Sequence, residues 1–185
     1  MRHILLYFLL ILMLCGCFRQ NAQLEQGINL RDSIINSNGC AFDVTVTADY
    51  QDVYYTFEMS CESDPIGNVT FEILAPKSIT GITGIVTAED GKLTFDDQIL
   101  LFSTLAEGQI TPVCAPWLFI NSLRSGYING YANDGGALIL QIDDTYATCA
   151  LRQNVHIVNS VPSFVEIIWN GRRVVTMDVK SFRLL

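Results

Sequence analysis

Apolar and polar residues alternate strictly over two neighbouring stretches of the chain. Residues 40–48 and 53–61 carry an apolar side chain at every second position, and the polar residues 49–52 separate them. A period of two is typical of half-buried antiparallel strands. If the turn has four residues, Cys40 lies directly opposite Cys61 on the buried face. A slip of two residues makes these cysteines diagonal neighbours, so a disulfide between them is allowed and not required.

Further strand signals lie on both sides of one apolar segment. Asn170-Gly171 is the strongest hairpin signal, because a type I′ turn needs positive φ at both positions. Val161-Pro162 is expected to interrupt the second series. The strands predicted before the apolar segment span 69–75, 85–88, 92–95 and 98–103, and those after it span 127–132, 137–143, 146–153, 156–158, 164–169 and 174–182.

Two helices interrupt this pattern. Apolar residues near helical spacing predict a short amphipathic helix at about 24–37, which Gly27 weakens. A second helix is predicted within 111–126, with its regular part beginning near Ala115. Its apolar residues cover more than one face, so this helix is expected to lie between the two groups of strands as a plug or lid. Those residues are Trp117, Leu118, Phe119, Ile120 and Leu123.

The order of elements predicts a mainly β fold of the α+β class. A twisted sheet of ten or more strands must curl or close. We therefore expect an unclosed antiparallel β-barrel of about 10–12 strands, with an N-terminal helix and an inserted lid or plug helix. Residues 24–185 form one domain in this interpretation.

The N-terminal residues predict secretion and a lipid anchor. Residues 1–16 combine a short basic start with an apolar run of eleven residues, Ile4 to Leu14, which is too short to span a bilayer. Leu14-Cys15-Gly16-Cys17 resembles the bacterial lipobox. This resemblance implies cleavage before Cys17 and a diacylglycerol on that cysteine, followed by a tether over 17–23. The expected location is the outer side of a bacterial cell membrane.

The acidic net charge argues against two kinds of anionic partner. The chain has 11 basic and 19 acidic residues and a net charge of −8. Loss of Arg2 with the signal would leave 10 basic residues and a net charge of −9. Such a balance argues against nucleic acid and against adsorption to anionic lipid head groups, since both need basic patches.

The cysteines outside the signal and lipobox do not form a metal motif. No Cys-x-x-Cys occurs and no histidine lies near them in sequence, so neither a metal nor a cofactor is predicted. Isolated cysteines in apolar strands usually act as small buried hydrophobic groups. The four residues concerned are Cys40, Cys61, Cys114 and Cys149.

The sequence gives little support for a catalytic site. His156 is the only histidine beyond the signal, and it lies on the polar phase of a strand with no Gly-x-Ser-x-Gly motif in the chain. A hydrolase that uses His156 is thus a remote alternative to a hydrogen-bonded strand histidine. Asp96-Asp97 and Asp143-Asp144 lie between strand signals, where aspartate favours turns over metal or acid–base sites.

The remaining candidate chemistry is apolar. Aromatic and aliphatic residues on the inner phases of the strands lie beneath the predicted inserted helix. They either fill a packed core or line a cavity, where an acyl chain would gain about 0.8 kcal/mol per buried methylene. The candidate lining residues are Phe42, Tyr55, Phe57, Phe71, Ile73, Trp117, Leu118, Ile120, Ile167 and Trp169.

Four groups of residues match a known family: the strand pair 42–48 and 53–59, Ala75-Pro76 with the following Ile79-Thr80-Gly81-Ile82, Pro116-Trp117, and a closing hairpin with Ile167, Trp169, Asn170, Gly171 and Val174. Through them the chain resembles the lipoprotein-carrier superfamily of the LolA/LolB type, and the resemblance covers nearly the whole mature length. It implies an unclosed barrel around an apolar cavity covered by helices. No basic residue of the predicted strands matches the arginine of the soluble carriers, and this chain is tethered, so shuttling between membranes is not expected.

Two functions follow. The first is a membrane-anchored, non-enzymatic protein that binds a lipid or another apolar ligand in the half-barrel. The alternative is a protein–protein interaction module of a cell-envelope complex, with a solid core and contacts through exposed Tyr54 and Tyr131.

Overall fold

The computed structural model describes residues 24–50, 53–106, 108–144 and 150–185. The predicted signal, lipobox, Cys17 and tether lie outside the described residues, as does Cys149. Helix α1 spans 24–36 and helix α2 spans Ala115–Ser125, after a 3-10 turn at Pro112–Cys114. The strands are β1 Cys40–Asp49, β2 Tyr54–Ser63, β3 Val69–Ala75, β4 Thr83–Val86, β5 Gly91–Phe95, β6 Gln98–Phe102, β7 Leu105–Ala106, β8 Gln109–Ile110, β9 Tyr127–Asp134, β10 Ala137–Asp143, β11 Leu151–Val158, β12 Val161–Trp169 and β13 Arg172–Leu184.

Eleven strands form one antiparallel sheet in the order β6-β5-β4-β3-β2-β1-β13-β12-β11-β10-β9. The first and last strands of the chain, β1 and β13, pair at its centre, while β6 and β9 are its two edges. Strands β7 and β8 form a separate hairpin. The predicted fold, an unclosed antiparallel barrel with an N-terminal and an inserted helix, is confirmed.

The register of β1 and β2 is the slipped one of the two that the sequence allowed. Cys40 pairs with Ser63, and Cys61 pairs with Phe42, so the cysteines are not opposite each other. Cys40 and Cys61 are free buried thiols, and the disulfide considered from the sequence is not formed. A slip of two residues leaves every side chain on its predicted face, because the side-chain period in a strand is also two.

Helix α2 fills the concave side of the curled sheet. The Phe119 ring, fully buried, meets Phe42 edge-on with ring centroids 5.7 Å apart, and it lies 6.4 Å from the Phe182 ring. Leu118 and Ile120 are buried beside it, which confirms that more than one face of this helix is covered. The core therefore lies between α2 and the central strands.

Helix α1 closes one side of the domain. Its buried residues are Gly27, Leu30 and Ile34, at the spacing of one helical face. A Cβ on Gly27 would lie 2.7 Å from a side-chain carbon of Leu140, so the missing side chain lets the helix approach β10. Gly27 lowers the intrinsic helix propensity of α1, as predicted. The close approach of α1 to the sheet at this residue explains why a glycine occupies the position.

Three local expectations were wrong. Strand β11 is a single strand, where the sequence indicated separate strands at 146–153 and 156–158; residues 145–149 lie outside the described part. Strand β12 already begins at Val161, because Pro162 lies opposite Ile157 beside a register shift that accommodates its missing N–H. The β7–β8 hairpin was not predicted. The Asn170-Gly171 turn is confirmed, with φ of 49° and 78°.

Candidate functional site

Most of the predicted cavity residues lie in the packed core. Trp117 is half-buried against it, and Tyr55 is 53 % exposed although it follows the inner phase of β2. That these ten residues line a ligand cavity stays a prediction. Those with at most 6 % exposure are Phe42, Phe57, Phe71, Ile73, Leu118, Ile120 and Ile167.

Trp169 lies elsewhere, at one end of the half-barrel. We call this end the mouth: it is formed by Asp49 and Tyr50 after β1, by Trp169 at the end of β12, by Arg172 at the start of β13, and by the β7–β8 hairpin. The register of β12 with β13 pairs Trp169 directly with Arg172. The mouth thus joins the two central strands to a hairpin that is not part of the large sheet.

Two side chains fasten the hairpin over the mouth. The indole N–H of Trp169 donates to the carbonyl of Gly108 at 2.9 Å, and the hydroxyl of Tyr50 donates to the carbonyl of Ile110 at 2.8 Å. At the base of the hairpin, the Thr111 hydroxyl donates to the carbonyl of Ser103 at 2.7 Å. These three hydrogen bonds are polar contacts that hold the hairpin against the sheet. The surfaces between the bonded groups are apolar.

Two cavities adjoin this hairpin. One has a volume of about 270 Å³, and its walls include Ile110, Trp169 and Val174. The other has a volume of about 300 Å³, and its walls include Ala106, Thr111 and Pro112. Both are lined by Tyr50, Gln109 and Ile110, which therefore form a wall shared by the two cavities.

Tyr50 is the central group of this wall. Burial raises the pKa of its phenol, and the neighbouring Tyr55 and Cys114 side chains raise it further. The rings of Tyr50 and Tyr55 meet edge-on with centroids 5.9 Å apart. Tyr50 therefore stays a neutral hydrogen-bond donor near pH 7.

One ion pair borders the mouth. Arg172 donates through Nη2 to the Asp49 carbonyl at 2.6 Å and to its carboxylate at 2.9 Å. The side chains are 40 % and 36 % exposed, so water screens the pair. It supplies a polar edge to an otherwise apolar site, as is usual for pockets that orient an amphiphilic ligand.

Two other concavities also have charged groups in their lining. A groove of about 590 Å³ crosses the outer face of β2 to β5, with Glu62, Glu72 and Lys92 among its lining groups. A depression of about 460 Å³ lies beside α1 and includes Glu25 and Arg183. An apolar ligand bound there would deprive these charged groups of water, whereas at the mouth Arg172 and Asp49 already pair with each other, so the mouth is the better apolar site.

The residues considered for catalysis have structural neighbours. The His156 ring packs on Phe164 with centroids 5.3 Å apart, and its Nε2 lies 3.9 Å from a Glu166 oxygen. The Ser163 hydroxyl donates to the backbone carbonyl of His156 and not to the imidazole. In the described part of the chain no nucleophile is hydrogen-bonded to this ring.

The aspartate pairs lie at strand ends. Asp96 and Asp97 form the β5–β6 turn with φ of 45° and 61°. Asp143 is 5 % exposed and accepts two hydrogen bonds from Arg152, at 2.6 and 2.8 Å. Over the described ranges no group of three or more His, Cys, Asp or Glu side chains could hold a metal ion.

The tyrosines proposed as protein contacts differ in exposure. Tyr54 is 66 % exposed on β2, as expected for a contact residue. Tyr131 is half-buried and packs against the core. Since the sequence predicts exposure of both tyrosines, the partial burial of Tyr131 corrects that expectation.

Several residues of the mouth were missed from the sequence. The sequence pattern places Tyr50 in a polar turn and predicts no strand between β6 and α2. A signal existed: Leu105-Ala106 and Gln109-Ile110 flank the two positions 107 and 108, and glycine in a two-residue connection is typical of a hairpin.

No family model and no curated protein matches the sequence. Solved structures do match the fold. An outer membrane lipoprotein-sorting protein domain from Vibrio parahaemolyticus has a TM-score of 0.49 and 11% identity, covering 87% of this chain and 91% of that one. A LolA superfamily protein from Nitrosomonas europaea has a TM-score of 0.44 and 10% identity, with 86% and 93% covered.

The lipoprotein LppX of Mycobacterium tuberculosis is a third similar structure. Its TM-score is 0.41 and its identity 11%, and 87% of this chain and 93% of that chain are covered. The resemblance to the LolA/LolB type stated from the sequence agrees with these likenesses. They concern the course of the backbone, so the case for function depends on the geometry of this chain.

Proposed function

We propose that this protein is a lipoprotein anchored through Cys17 on the outer side of a bacterial cell membrane, and that it binds the acyl chain of a lipid at the mouth. The observation that supports this proposal most directly is the pair of cavities around the β7–β8 hairpin, of about 270 and 300 Å³. Together they fall within the usual range of ligand pockets, about 300–1,000 Å³.

The lining fits an acyl chain better than a polar ligand. Trp169, Ile110 and Val174 offer apolar surface, while the Arg172–Asp49 pair at the border offers charge to a head group. Each methylene moved from water into such a site gains about 0.8 kcal/mol. The hairpin is the element that would have to yield, since its residues Gln109 and Ile110 line both cavities.

The test uses the full chain in its own membrane. Bacteria are grown with a diazirine-labelled fatty acid, which enters their phospholipids, and are then irradiated. We expect phospholipid adducts on peptides that contain Tyr50, Ile110 or Trp169. The mass of the adduct distinguishes a phospholipid from the chain's own anchor at Cys17, and the same spectra report whether Cys17 carries diacylglycerol.

A matched pair of variants makes the test specific. Ile110→Asp places a charge in the shared wall and should abolish the adducts, whereas Ile66→Asp changes a residue that is 78 % exposed and should preserve them. Adducts that are spread over exposed residues such as Tyr54, or that persist in Ile110→Asp, would contradict binding at the mouth.

The interaction module remains the second candidate, supported by the solid packing beneath α2. Seven of the ten proposed lining residues are at most 6 % exposed, so little room exists in the centre of the half-barrel. A chain that gives no lipid adduct at the mouth but forms a crosslink to an envelope protein through Tyr54 would favour this function.

A further inference from the structure

The edge strand β6 exposes apolar side chains on both of its faces. Ile99, Leu100 and Leu101 are 60 %, 61 % and 67 % exposed. The strand Gln98–Phe102 contains no charged residue and no proline. Long apolar edges of this kind are usually blunted by lysine, proline or a covering loop, because their free backbone groups recruit another strand.

The other edge of the same sheet shows the contrast. Strand β9 reads Tyr-Ile-Asn-Gly-Tyr-Ala-Asn-Asp, and it exposes Asn129, Asn133 and Asp134. Polar side chains and a glycine make this edge a poor template for pairing. The apolar edge is therefore a local property of β6 and not a general feature of the sheet.

The backbone of β6 directs hydrogen-bonding groups outward at two residues. Asp96 and Asp97 form a two-residue turn, so Phe95 and Gln98 are a hydrogen-bonded pair of the β5–β6 ladder. Hydrogen-bonded and non-hydrogen-bonded positions alternate along an antiparallel strand. The N–H and C=O groups of Ile99 and Leu101 therefore point to the free edge.

We propose that β6 pairs antiparallel with β6 of a second copy of this chain, around a two-fold axis at Leu100. In that register Ile99 of one copy lies opposite Leu101 of the other, and these are the residues whose backbone groups face outward. Four hydrogen bonds would form, and Leu100 would meet its own copy in a non-hydrogen-bonded pair. The surface is thus complementary to itself, as an isologous interface requires.

Cross-strand neighbours agree with this register on both faces. On the inner face, Leu100 already pairs with Leu93 of β5, so the row across the dimer would be four leucines. On the outer face, Leu101 is paired with Lys92 and Ile99 with Thr94, so apolar groups meet at the seam and the polar groups stay beyond it. Apolar cross-strand pairs contribute roughly 0.2–1 kcal/mol each.

Charge favours a second copy over a lipid surface. Asp96 and Asp97 lie directly at the start of β6, and an anionic membrane would repel them. In the dimer the two Asp97 residues are six strand positions apart, roughly 20 Å. This exceeds the Debye length of about 8 Å at physiological ionic strength, so their repulsion is screened. A five-residue pairing is small, and a weak dimer stabilised by added salt is expected.

The test is a disulfide crosslink on the full chain in bacterial membranes. Leu100→Cys places one cysteine on the two-fold axis, where the Cα atoms of a non-hydrogen-bonded pair are about 4.5 Å apart, within disulfide range. Mild oxidation should give a covalent dimer above the level of the parent chain, which keeps its native cysteines. Ala132→Cys, on the exposed β9 edge, should give no more dimer than the parent.

Second-site variants distinguish a specific β6–β6 pairing from chance collisions between two chains. Leu101→Lys added to Leu100→Cys should lower the dimer yield at least tenfold, whereas Ile66→Lys, at another exposed apolar residue, should leave it unchanged. Equal yields for Leu100→Cys and Ala132→Cys, or no dimer at all, would overturn the proposal. Circular dichroism of each purified variant shows whether the sheet has formed.

A photoreactive benzoylphenylalanine at Ile99 distinguishes other occupants of the edge. An adduct to the peptide that contains Leu101 of a second copy supports the dimer. Adducts to lipid alone, or to the strand of a different protein alone, would replace the second copy by a membrane or by a heterologous partner and refute the proposal.

Discussion

The indole N–H of Trp169 lies 2.9 Å from the carbonyl oxygen of Gly108, to which it donates a hydrogen bond. The two residues are 61 positions apart, and the bond joins the end of β12 to the tip of the β7–β8 hairpin. It makes the hairpin part of the mouth. Trp169 thus serves both as an apolar wall of the 270 Å³ cavity and as a polar fastening.

Replacing Trp169 by phenylalanine should loosen the hairpin. The variant keeps an aromatic ring but loses the donor, and a typical hydrogen bond contributes about 1 kcal/mol. Amide hydrogen exchange measured by mass spectrometry should become faster in residues 105–110 and stay unchanged in β1 and β13. Trp117→Phe is the control, because the Trp117 indole has no hydrogen-bond partner in the described residues. Unchanged exchange in Trp169→Phe would show that the bond does not hold the hairpin.

Phe119 should be a principal contributor to stability. It is fully buried between Phe42 and Phe182, so Phe119→Ala leaves a cavity and should lower the free energy of unfolding by about 3–5 kcal/mol. Phe95→Ala is the same change at a side chain that is 47 % exposed, and it should cost less than about 1 kcal/mol. Urea unfolding followed by circular dichroism measures both, and similar costs would mean that α2 does not fill the half-barrel.

The buried Asp143 carboxylate should depend on Arg152. Removing the guanidinium in Arg152→Leu leaves a carboxylate that is 5 % exposed without its two charged hydrogen bonds, a loss of about 3–5 kcal/mol in unfolding free energy. The double variant Asp143→Asn, Arg152→Leu should be more stable than Arg152→Leu alone, because the buried charge that Arg152 neutralised is gone. A double-mutant cycle with additive effects would argue against coupling of the pair.

Acid should weaken the contribution of Glu166 to the stability of the folded protein. Burial by itself would raise the pKa of this carboxyl, but hydrogen bonds from Asn154 and Arg173, together with the Arg173 charge, outweigh burial and lower it. A carboxyl with a lowered pKa in the folded state stabilises the fold above its unfolded pKa and loses that effect as pH falls through the folded value.

The check is the difference in unfolding free energy between the parent and Glu166→Gln as a function of pH. This difference should be constant from pH 7 to about pH 5 and should shrink below it. Glu58→Gln is the same substitution at an exposed position of β2, and it shows how much the difference in unfolding free energy changes with pH at an exposed carboxylate. A difference that grows on acidification would contradict the lowered pKa.

The core thiols should be unreactive in the native protein. Burial raises the pKa of Cys114 to about 12, against a weaker lowering by its hydrogen bond with Thr104, and burial also raises the pKa values of Cys61 and Cys40. At pH 8 nearly all of the Cys114 thiol is then protonated, and only the thiolate reacts quickly. Iodoacetamide labelling mapped by mass spectrometry should modify these cysteines in urea and spare them without it. Rapid native labelling of Cys114 would contradict its placement.

Local pattern was enough to predict which face each strand buries. In β1 every second residue from Cys40 to Ala48 is at most 2 % exposed, as the alternation indicated. The period of two is a property of extended backbone, so it holds for any partner strand. In α2 the apolar run indicated burial on more than one face, and Leu118 and Ile120 are buried.

Features that depend on the neighbouring element could not be predicted from the local pattern. Tyr55 follows the buried phase of β2 and is still 53 % exposed, as are its neighbours at the start of the strand. The pairing of Cys40 with Ser63 depends on where the β1–β2 turn ends, which the alternation leaves undetermined by two residues. Nothing in the local sequence of β6 indicates that it is an edge.

The sequence alone determined both helices, most strands of the large sheet, their inward faces and the need of a long twisted sheet to curl, since each follows from backbone geometry and from the burial of apolar side chains. The tertiary structure alone decided which strands meet at the centre, how far each extends beyond the core, and that Trp169 and Tyr50 hold a hairpin over one end. Those outcomes depend on contacts between residues far apart in the chain, and short-range periodicity contains no information about them.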